Sequence, residues 1–280
     1  MMNEAPISIT EIKEYLASEK DVFNKRYLDC IIESKVLAIK DNDEVLANTY
    51  WCLHKIAQIQ SYFLTAYSYL KSRDKHREAW RLLDIIDLNL SNLRPHFCCD
   101  DNKYFLLFIG NIIHEYQKLF PYVYFLSREG IIKKEVCTIC NKPISLRSSC
   151  GHEAGNLYMG EMCCRKATDY TILGISLVRN PFDKYTVIGI PNREYNYVLL
   201  DTLMDTISSP YDRFYIETED NIIPKYSSVK KSKSCPCDSG KTYRRCCLGT
   251  KRELMTHYKV THLDNPNVES LPMITGSTWK

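Results

Sequence analysis

Glycine is scarce in this sequence, ten in 280 residues, and the glycine-rich loop G-x-x-x-x-G-K-[ST] that cradles phosphates is absent. H-E-x-x-H and G-x-S-x-G are also missing, so zincin-type and hydrolase-elbow chemistry have no foothold and no nucleotide site is expected. Long apolar runs are missing too. The best candidate, "YFLLFIGNII" at 104–113, runs into His114 and Glu115. It is about half the ~20 residues a membrane span needs, so no span is expected. The start, "MMNEAPISITEIKEYL", lacks the basic stretch and apolar run of a secretory leader. The expected location is a reducing cytoplasm, where clustered cysteines read as metal ligands rather than disulfides.

Neither sign of charge dominates. Lys and Arg number 37 against 34 Asp and Glu, a net +3 that says little about partners. With 45% hydrophobic and 25% charged residues the chain can build and solubilise a core, as one large domain or two modest ones. What it has in excess is cysteine, thirteen of them, an odd number that a disulfide framework within one chain cannot use up.

The first 130 residues read as helical. Ser8 and Glu11 fit a capping box, with Ile7 and Ile12 placed for a hydrophobic staple, and Asp21 reads as a second start. Cys52, Ile56, Ile59, Phe63, Ala66 and Leu70 recur in steps of four and three, one stripe of a third helix. A fourth stripe follows Asp74 (Ala79, Leu83, Ile86, Leu90, Leu93) and stops at Pro95. A fifth follows Asp101 (Phe105, Phe108, Ile112, Tyr116, Leu119) and stops at Pro121. Short loops between such helices imply antiparallel packing, and no internal repeat suggests a solenoid. Beyond residue 130, "YTILGISLV" (170–178) and "KYTVIGI" (184–190) read as strands and "NYVLLDTLMDTI" (196–207) as a helix. The polar, basic "YSSVKKSKS" (226–234) reads as a linker. The fold class expected is α+β. Its parts are a helical domain over 1–130, a zinc-binding α+β domain over 131–225, the linker, a zinc motif over 235–250 and an irregular tail over 251–280, where Trp279 is an anchor candidate.

"CPCDSGKTYRRCC" (235–247) places Cys235, Cys237, Cys246 and Cys247 in thirteen residues. Tetrahedral zinc takes four such thiolates at about 2.3 Å. The C-x-C pair reaches one ion from a tight turn, and "DSG" supplies the chain reversal: Asp238 bonds local backbone and Gly240 accepts positive φ. A short helical turn from Lys241 to Arg245 then returns Cys246 and Cys247. So short a segment buries little apolar surface, so the ion would be its core. Unpaired surface thiols are the bland alternative. The stretch resembles the SEC-C motif, C-P-C-G-S-G-x-x-[YF]-x-x-C-[HC], known from the zinc-binding C-terminal tail of SecA preprotein translocases. It matches at Cys235, Pro236, Cys237, Ser239, Gly240, Lys241, Tyr243, Cys246 and Cys247 and departs at Asp238. The resemblance covers only this stretch and implies a docking or stabilising role, without translocation.

Between Lys230 and Arg252 stand eight Lys/Arg and one Asp, a net +7 with neutral thiols and about +5 once four thiolates hold Zn²⁺. Such a basic knob would attract phosphates or acidic proteins through Lys230, Lys231, Lys233, Lys241, Arg244 and Arg245. A solvated linker with solubilising lysines is the plain alternative. Only Tyr226 and Tyr243 are at hand for base stacking.

A second constellation is "CTICNKPISLRSSCGHEAGNLYMGEMCC" (137–164). Cys137 and Cys140 form a C-x2-C knuckle, and Cys150-Gly151-His152 a C-x-H bend, together a closed Cys₃His zinc set. Cys163 and Cys164 make six candidates for four places, and Cys163 competes with His152 or Cys150. The favoured set is Cys137, Cys140, Cys150 and His152, with Cys163–Cys164 left to packing or to a shell behind the ligands. Cys137, Cys140, Cys150, His152, Gly155, Tyr158, Gly160 and Cys163, followed by "ISLVRNP" (175–181), resemble a group of poorly characterised bacterial SEC-C domain proteins, which brings no activity.

Two zinc ions are therefore expected, and both sites are closed, whereas a catalytic zinc keeps a position for water. The favoured function is a non-catalytic adaptor docking a protein, ribosome or nucleic acid. The alternative is a zinc hydrolase at Cys137–His152 with Glu153 as base, and a third reading makes the thiolates oxidation targets that release zinc. His54 and His114 fall in expected helices and read as hydrogen-bonded core or rim residues. Cys30, Cys52 and the pair Cys98–Cys99 read as packing.

Overall fold

The structure, a computed structural model, describes residues 7–145, 147, 149–264, 272–274 and 278–279. It is a mixture of helices and small antiparallel sheets. The chain divides into two compact units, 1–117 with 122–192, and 118–121 with 193–280.

The first unit begins with helices α1 (Ile9–Ala17), α2 (Lys25–Lys40), α3 (Glu44–Ser72), α4 (His76–Leu93) and α5 (Leu106–Lys118). The capping box forms: Glu11 N–H donates to Ser8 Oγ at 3.2 Å and Ser8 N–H to Glu11 Oε2 at 2.7 Å. Helix α2 starts later than Asp21, because Asn24 Oδ1 accepts the Arg26 N–H at 3.0 Å and takes the cap instead. Asp74 is likewise not the cap of α4; its carboxylate is engaged by Ser72 Oγ and the helix opens after Lys75. At α5 it is Asn102, next to Asp101, whose Oδ1 accepts the Phe108 N–H at 3.1 Å. The stripes themselves are buried. Every one of Cys52, Ile56, Ile59, Phe63, Ala66 and Leu70 on α3 is core, as are Ala79, Leu83, Ile86, Leu90 and Leu93 on α4. Helix α3 packs against both α2 and α4. A buried glutamine ties the bundle: Gln60 Nε2 donates to Leu16 O at 2.7 Å and to Tyr104 O at 2.9 Å.

After the helices comes a long two-stranded ribbon, β1 (Phe125–Cys137) against β5 (Arg165–Val178), with β2 (Pro143–Ile144) pairing the far end of β1. Its middle is open to solvent, with Leu126 opposite Leu177 and Ile132 opposite Tyr170, all exposed. Between the ribbon strands sits a short hairpin, β3 (Leu157–Tyr158) and β4 (Glu161–Met162). It docks on the helices. Asn48 Oδ1 accepts the Gly160 N–H at 2.8 Å, Glu44 Oε1 accepts the Met159 N–H at 3.2 Å, and Lys35 Nζ pairs with Glu161 Oε1 at 2.7 Å. The helices and the 137–164 cysteines thus share one compact unit, where the sequence suggests a boundary at 131. The strand expected over 184–190 is reduced to one bridge, Val187 to Phe125.

The second unit contains α6 (Val198–Thr206), β6 (Phe214–Ile222), α7 (Pro224–Ser227), β7 (Leu254–His262) and β8 (Pro272–Ile274). Strands β6 and β7 pair antiparallel from Phe214–His262 to Ile222–Leu254. The expected irregular tail over 251–280 is therefore corrected over 254–262 by a strand; 265–271, 275–277 and 280 lie outside the described residues. Trp279 does anchor, stacked on Tyr195 at 4.1 Å between ring centroids.

Candidate metal centres

In the C-terminal centre, the backbone builds the cluster as a tiny hairpin. Cys235 N–H donates to Lys241 O at 2.8 Å, Ser234 bridges Thr242, and a 3₁₀ turn over Tyr243–Arg245 delivers Cys246 and Cys247. The reversal uses positive φ at both Asp238 (58°) and Gly240 (73°), so aspartate fills a place a glycine would suit. The four sulfurs of Cys235, Cys237, Cys246 and Cys247 all lie within 4.8 Å of one another, with Cys237 3.4 Å from both Cys235 and Cys246. Zinc–sulfur bonds of about 2.3 Å give a tetrahedral edge of about 3.8 Å, so the cluster needs only slight expansion to hold an ion.

Its surroundings are more substantial than the motif alone suggests. The stretch 226–234, expected as a linker, is bound into the knob: Tyr243 N–H donates to Lys233 O at 2.8 Å and Arg244 N–H to Lys231 O at 3.0 Å. Tyr226 and Tyr243 are both buried beside Cys235 and Cys247, with Ile223, Val229 and Leu248 packed around them. The two rings stack on each other, which removes them as platforms for bases. Tyr243 OH donates to the buried Glu253 carboxylate, whose other oxygen accepts the Gly249 N–H at 2.7 Å. Hydrogen bonds from Ser239, Cys246 and Cys235 hold the Cys237 thiol down at about 6, while burial pushes Cys247 up to about 12. Lys230, Lys231, Lys233, Lys241, Arg244 and Arg245 are all exposed, and none forms an ion pair among the described residues.

In the first centre, the C-x2-C turn closes β1: Asn141 N–H donates to Cys137 O at 2.8 Å and Cys137 N–H to Lys142 O at 3.0 Å. Donor atoms of Cys137, Cys140, Cys150 and His152 all lie within 4.8 Å of one another. Cys137 Sγ is 3.8 Å from His152 Nδ1, and Tyr158 stands edge-on to the imidazole at 4.6 Å. Backbone N–H groups of Cys140 and then Ile139 draw the Cys137 thiol down to about 6, against its burial. Cys163, read from sequence as packing or as a shell behind the ligands, lies against the cluster outside the four grouped donors: its sulfur is 3.7 Å from Cys137 Sγ and only 2% of the residue is exposed. The β3–β4 hairpin that precedes it is placed by the helices. Cys164 is half-buried and its carbonyl accepts the Thr138 N–H at 3.1 Å. Glu153 points into its own loop, where its Oε2 accepts from Asn156 Nδ2 at 3.1 Å.

The remaining cysteines lie apart from both centres. Cys52 is core, Cys30 half-buried, Cys98 exposed, and Cys99 buried with its thiol toward Phe97 O at 3.4 Å. Both clusters could hold a metal ion, and no helix among the described residues is long and apolar enough to cross a membrane. In comparisons with protein-family models, curated proteins and solved structures, nothing matches this chain.

Proposed function

We propose that this chain is a zinc-binding docking protein with no reaction of its own, and that its basic C-terminal knob, similar to a SEC-C knuckle, engages an anionic partner in the cytoplasm. One observation carries the reading: a four-sulfur cluster lies in a segment with six exposed cations that form no ion pair among the described residues. Thiolate ligands suit zinc, and two such ions staple two short segments. The sulfur-rich, fully protein-filled donor sets support a structural metal over a catalytic one. Glu153, the base a hydrolase would use, is held by Asn156 rather than aimed at the cluster.

The partner is an anionic surface, a nucleic acid, a ribosome or an acidic protein, because clustered lysine and arginine bind phosphate by releasing counterions. The test is fluorescence anisotropy of the zinc-loaded chain with a single-stranded RNA 20-mer and with polyglutamate across a salt series. Six phosphate contacts predict a log–log salt slope of about −4 for the RNA. The double substitution Arg244→Glu and Arg245→Glu, removing two of the six contacts, should weaken binding and reduce that slope by at least about 1.4. Binding to neither probe at low salt would remove the docking role and leave two structural metal centres.

A further inference from the structure

The β1–β5 ribbon carries an apolar face that is open to solvent. Leu126 stands opposite Leu177, Arg128 opposite Ile175, Gly130 opposite Ile172 and Ile132 opposite Tyr170. Residues directly opposite in an antiparallel pair share a face, as do residues two apart on one strand. Ile172 and Ile175 are three apart and in a regular strand would fall on different faces. A bulge aligns them, because Leu173 has no partner between the Gly130–Ile172 and Glu129–Gly174 pairs. Six large apolar side chains thus share one face with a single charge, Arg128. Their exposure runs from 42% at Leu126 to 64% at Ile175. The other face is mixed, with Ile131 among Ser127, Glu129, Thr171 and Ser176.

Six half-exposed side chains of this size present on the order of 600 Å², the most that monomers leave open and much of the ~800 Å² per partner that a standard interface buries. The free edge of β5 offers another way to associate, since the sheet order β2-β1-β5 leaves it unpaired among the described residues. The Leu173 bulge interrupts that edge, and bulges hinder edge-to-edge pairing. The face is the better surface, and it complements itself. Gly130 lies at its centre, where a Cβ would stand 2.9 Å from Thr171 O, so β1 presents no side chain there. A two-fold axis passing over Gly130, at right angles to the strands, sets residue 128 of one copy level with residue 132 of the other. Each Arg128 then meets Ile132 and Tyr170 of the second copy instead of its own counterpart, and a guanidinium packs favourably on a tyrosine ring.

We propose that this chain forms a two-fold symmetric homodimer whose ribbons stack face to face through Leu126, Ile132, Tyr170, Ile172, Ile175 and Leu177. The contact is isologous and closed, so assembly stops at two copies. None of the six residues belongs to either donor cluster. The dimer carries two C-terminal knobs, and a polyanion long enough to reach both would bind more tightly than one knob allows.

The test is sedimentation velocity of the full chain under reducing conditions, from about 0.5 to 100 µM, which spans the weak end of affinities for an interface of this size. The parent should pass from monomer to dimer within that range and go no further. The double substitution Ile172→Lys and Ile175→Lys should weaken the dimer about 100-fold or more, because the contact would bury ammonium groups without partners. Both side chains are exposed in one copy, so the variant should keep the parent's circular dichroism and melting temperature. Ile131→Lys, on the other face, should dimerise as the parent does. The proposal is overturned if the parent is a monomer throughout, if the double variant still dimerises at the parent's concentration, or if Ile131→Lys disrupts the dimer equally. A monomeric parent that floats with phosphatidylcholine vesicles would overturn it by giving the face to lipid, and growth beyond two copies would overturn the closed contact.

Discussion

Tyr226 and Tyr243 stack with ring centroids 5.6 Å apart and planes 25° apart, one from α7 ahead of the C-terminal motif and the other from its returning turn. Together they turn a four-sulfur cluster into a small core, for the Tyr226 hydroxyl donates to Cys247 Sγ at 3.8 Å and the Tyr243 hydroxyl to Glu253. Tyr226→Ala removes a 4%-exposed ring and should cost the zinc-loaded knob about 3–5 kcal/mol. Tyr226→Phe keeps the stack and loses only the bond to sulfur, about 1 kcal/mol. Amide exchange over residues 231–253 would rank the two. Equal protection in both variants and the parent would mean that the metal alone holds the knob.

Metal removal should act unequally on the two units. The buried hydrophobic cluster of the knob is two cysteines and two tyrosines, with little apolar surface behind them. A chelator should therefore melt 226–253 while the α1–α5 core, which is built of aliphatic stripes, stays protected. Hydrogen exchange with and without chelator gives the outcome directly. Zinc affinity of this centre should also rise with pH. Cys247, pushed up to about 12, keeps its proton at neutral pH and must surrender it to the ion. Each unit of acidification should therefore weaken zinc at least about tenfold, a dependence that competition titrations at pH 6, 7 and 8 would reveal.

Much of this arrangement can be read from residues one turn or one motif apart. The α3 stripe from Cys52 to Leu70 follows from helical period alone, and cysteine and histidine spacing points to the two donor clusters that the fold brings together. What escapes is whatever depends on distant partners. Asn24 takes a cap for which Asp21 also qualifies, a choice made by how the chain leaves α1, where Asn24 N–H donates to the Tyr15 hydroxyl at 2.6 Å. Strand β7 alternates polar and apolar residues weakly, and it becomes a strand because β6 pairs with it along its whole length. Cys163 comes to lie 3.7 Å from Cys137 Sγ after a hairpin that Lys35, Glu44 and Asn48 hold.

That docking puts a demand on Gly160. It has φ 74°, and a Cβ there would stand 3.1 Å from Ala47 O and 3.3 Å from Ala47 Cβ, on the backbone of α3. Gly160→Ala therefore meets both positive-φ strain and a helix that cannot yield. It should destabilise the first unit by about 2 kcal/mol and loosen the first centre's hold on its metal. Chemical denaturation of the zinc-loaded and zinc-free chain would separate the two effects. An unchanged midpoint in both forms would show that the hairpin lifts off the helices without cost.

Acid sensitivity should trace in part to His54 on α3. Burial, reinforced by Lys35 and Lys55 and opposed by Glu161, lowers its folded value to about 4 from an ordinary 6.5. The unfolded chain thus takes up a proton near pH 6.5 that the folded chain refuses until near pH 4. Since the unfolded state binds more protons across that window, stability falls as pH drops through it and is fully present above it. The loss at pH 4 should be about 2 kcal/mol, less than the full shift implies because the imidazole keeps some contact with solvent. His54→Leu should flatten this limb. Urea unfolding of the metal-free chain at pH 7, 6, 5 and 4 isolates the effect from zinc release, and parallel pH profiles for parent and variant would show that His54 carries none of it.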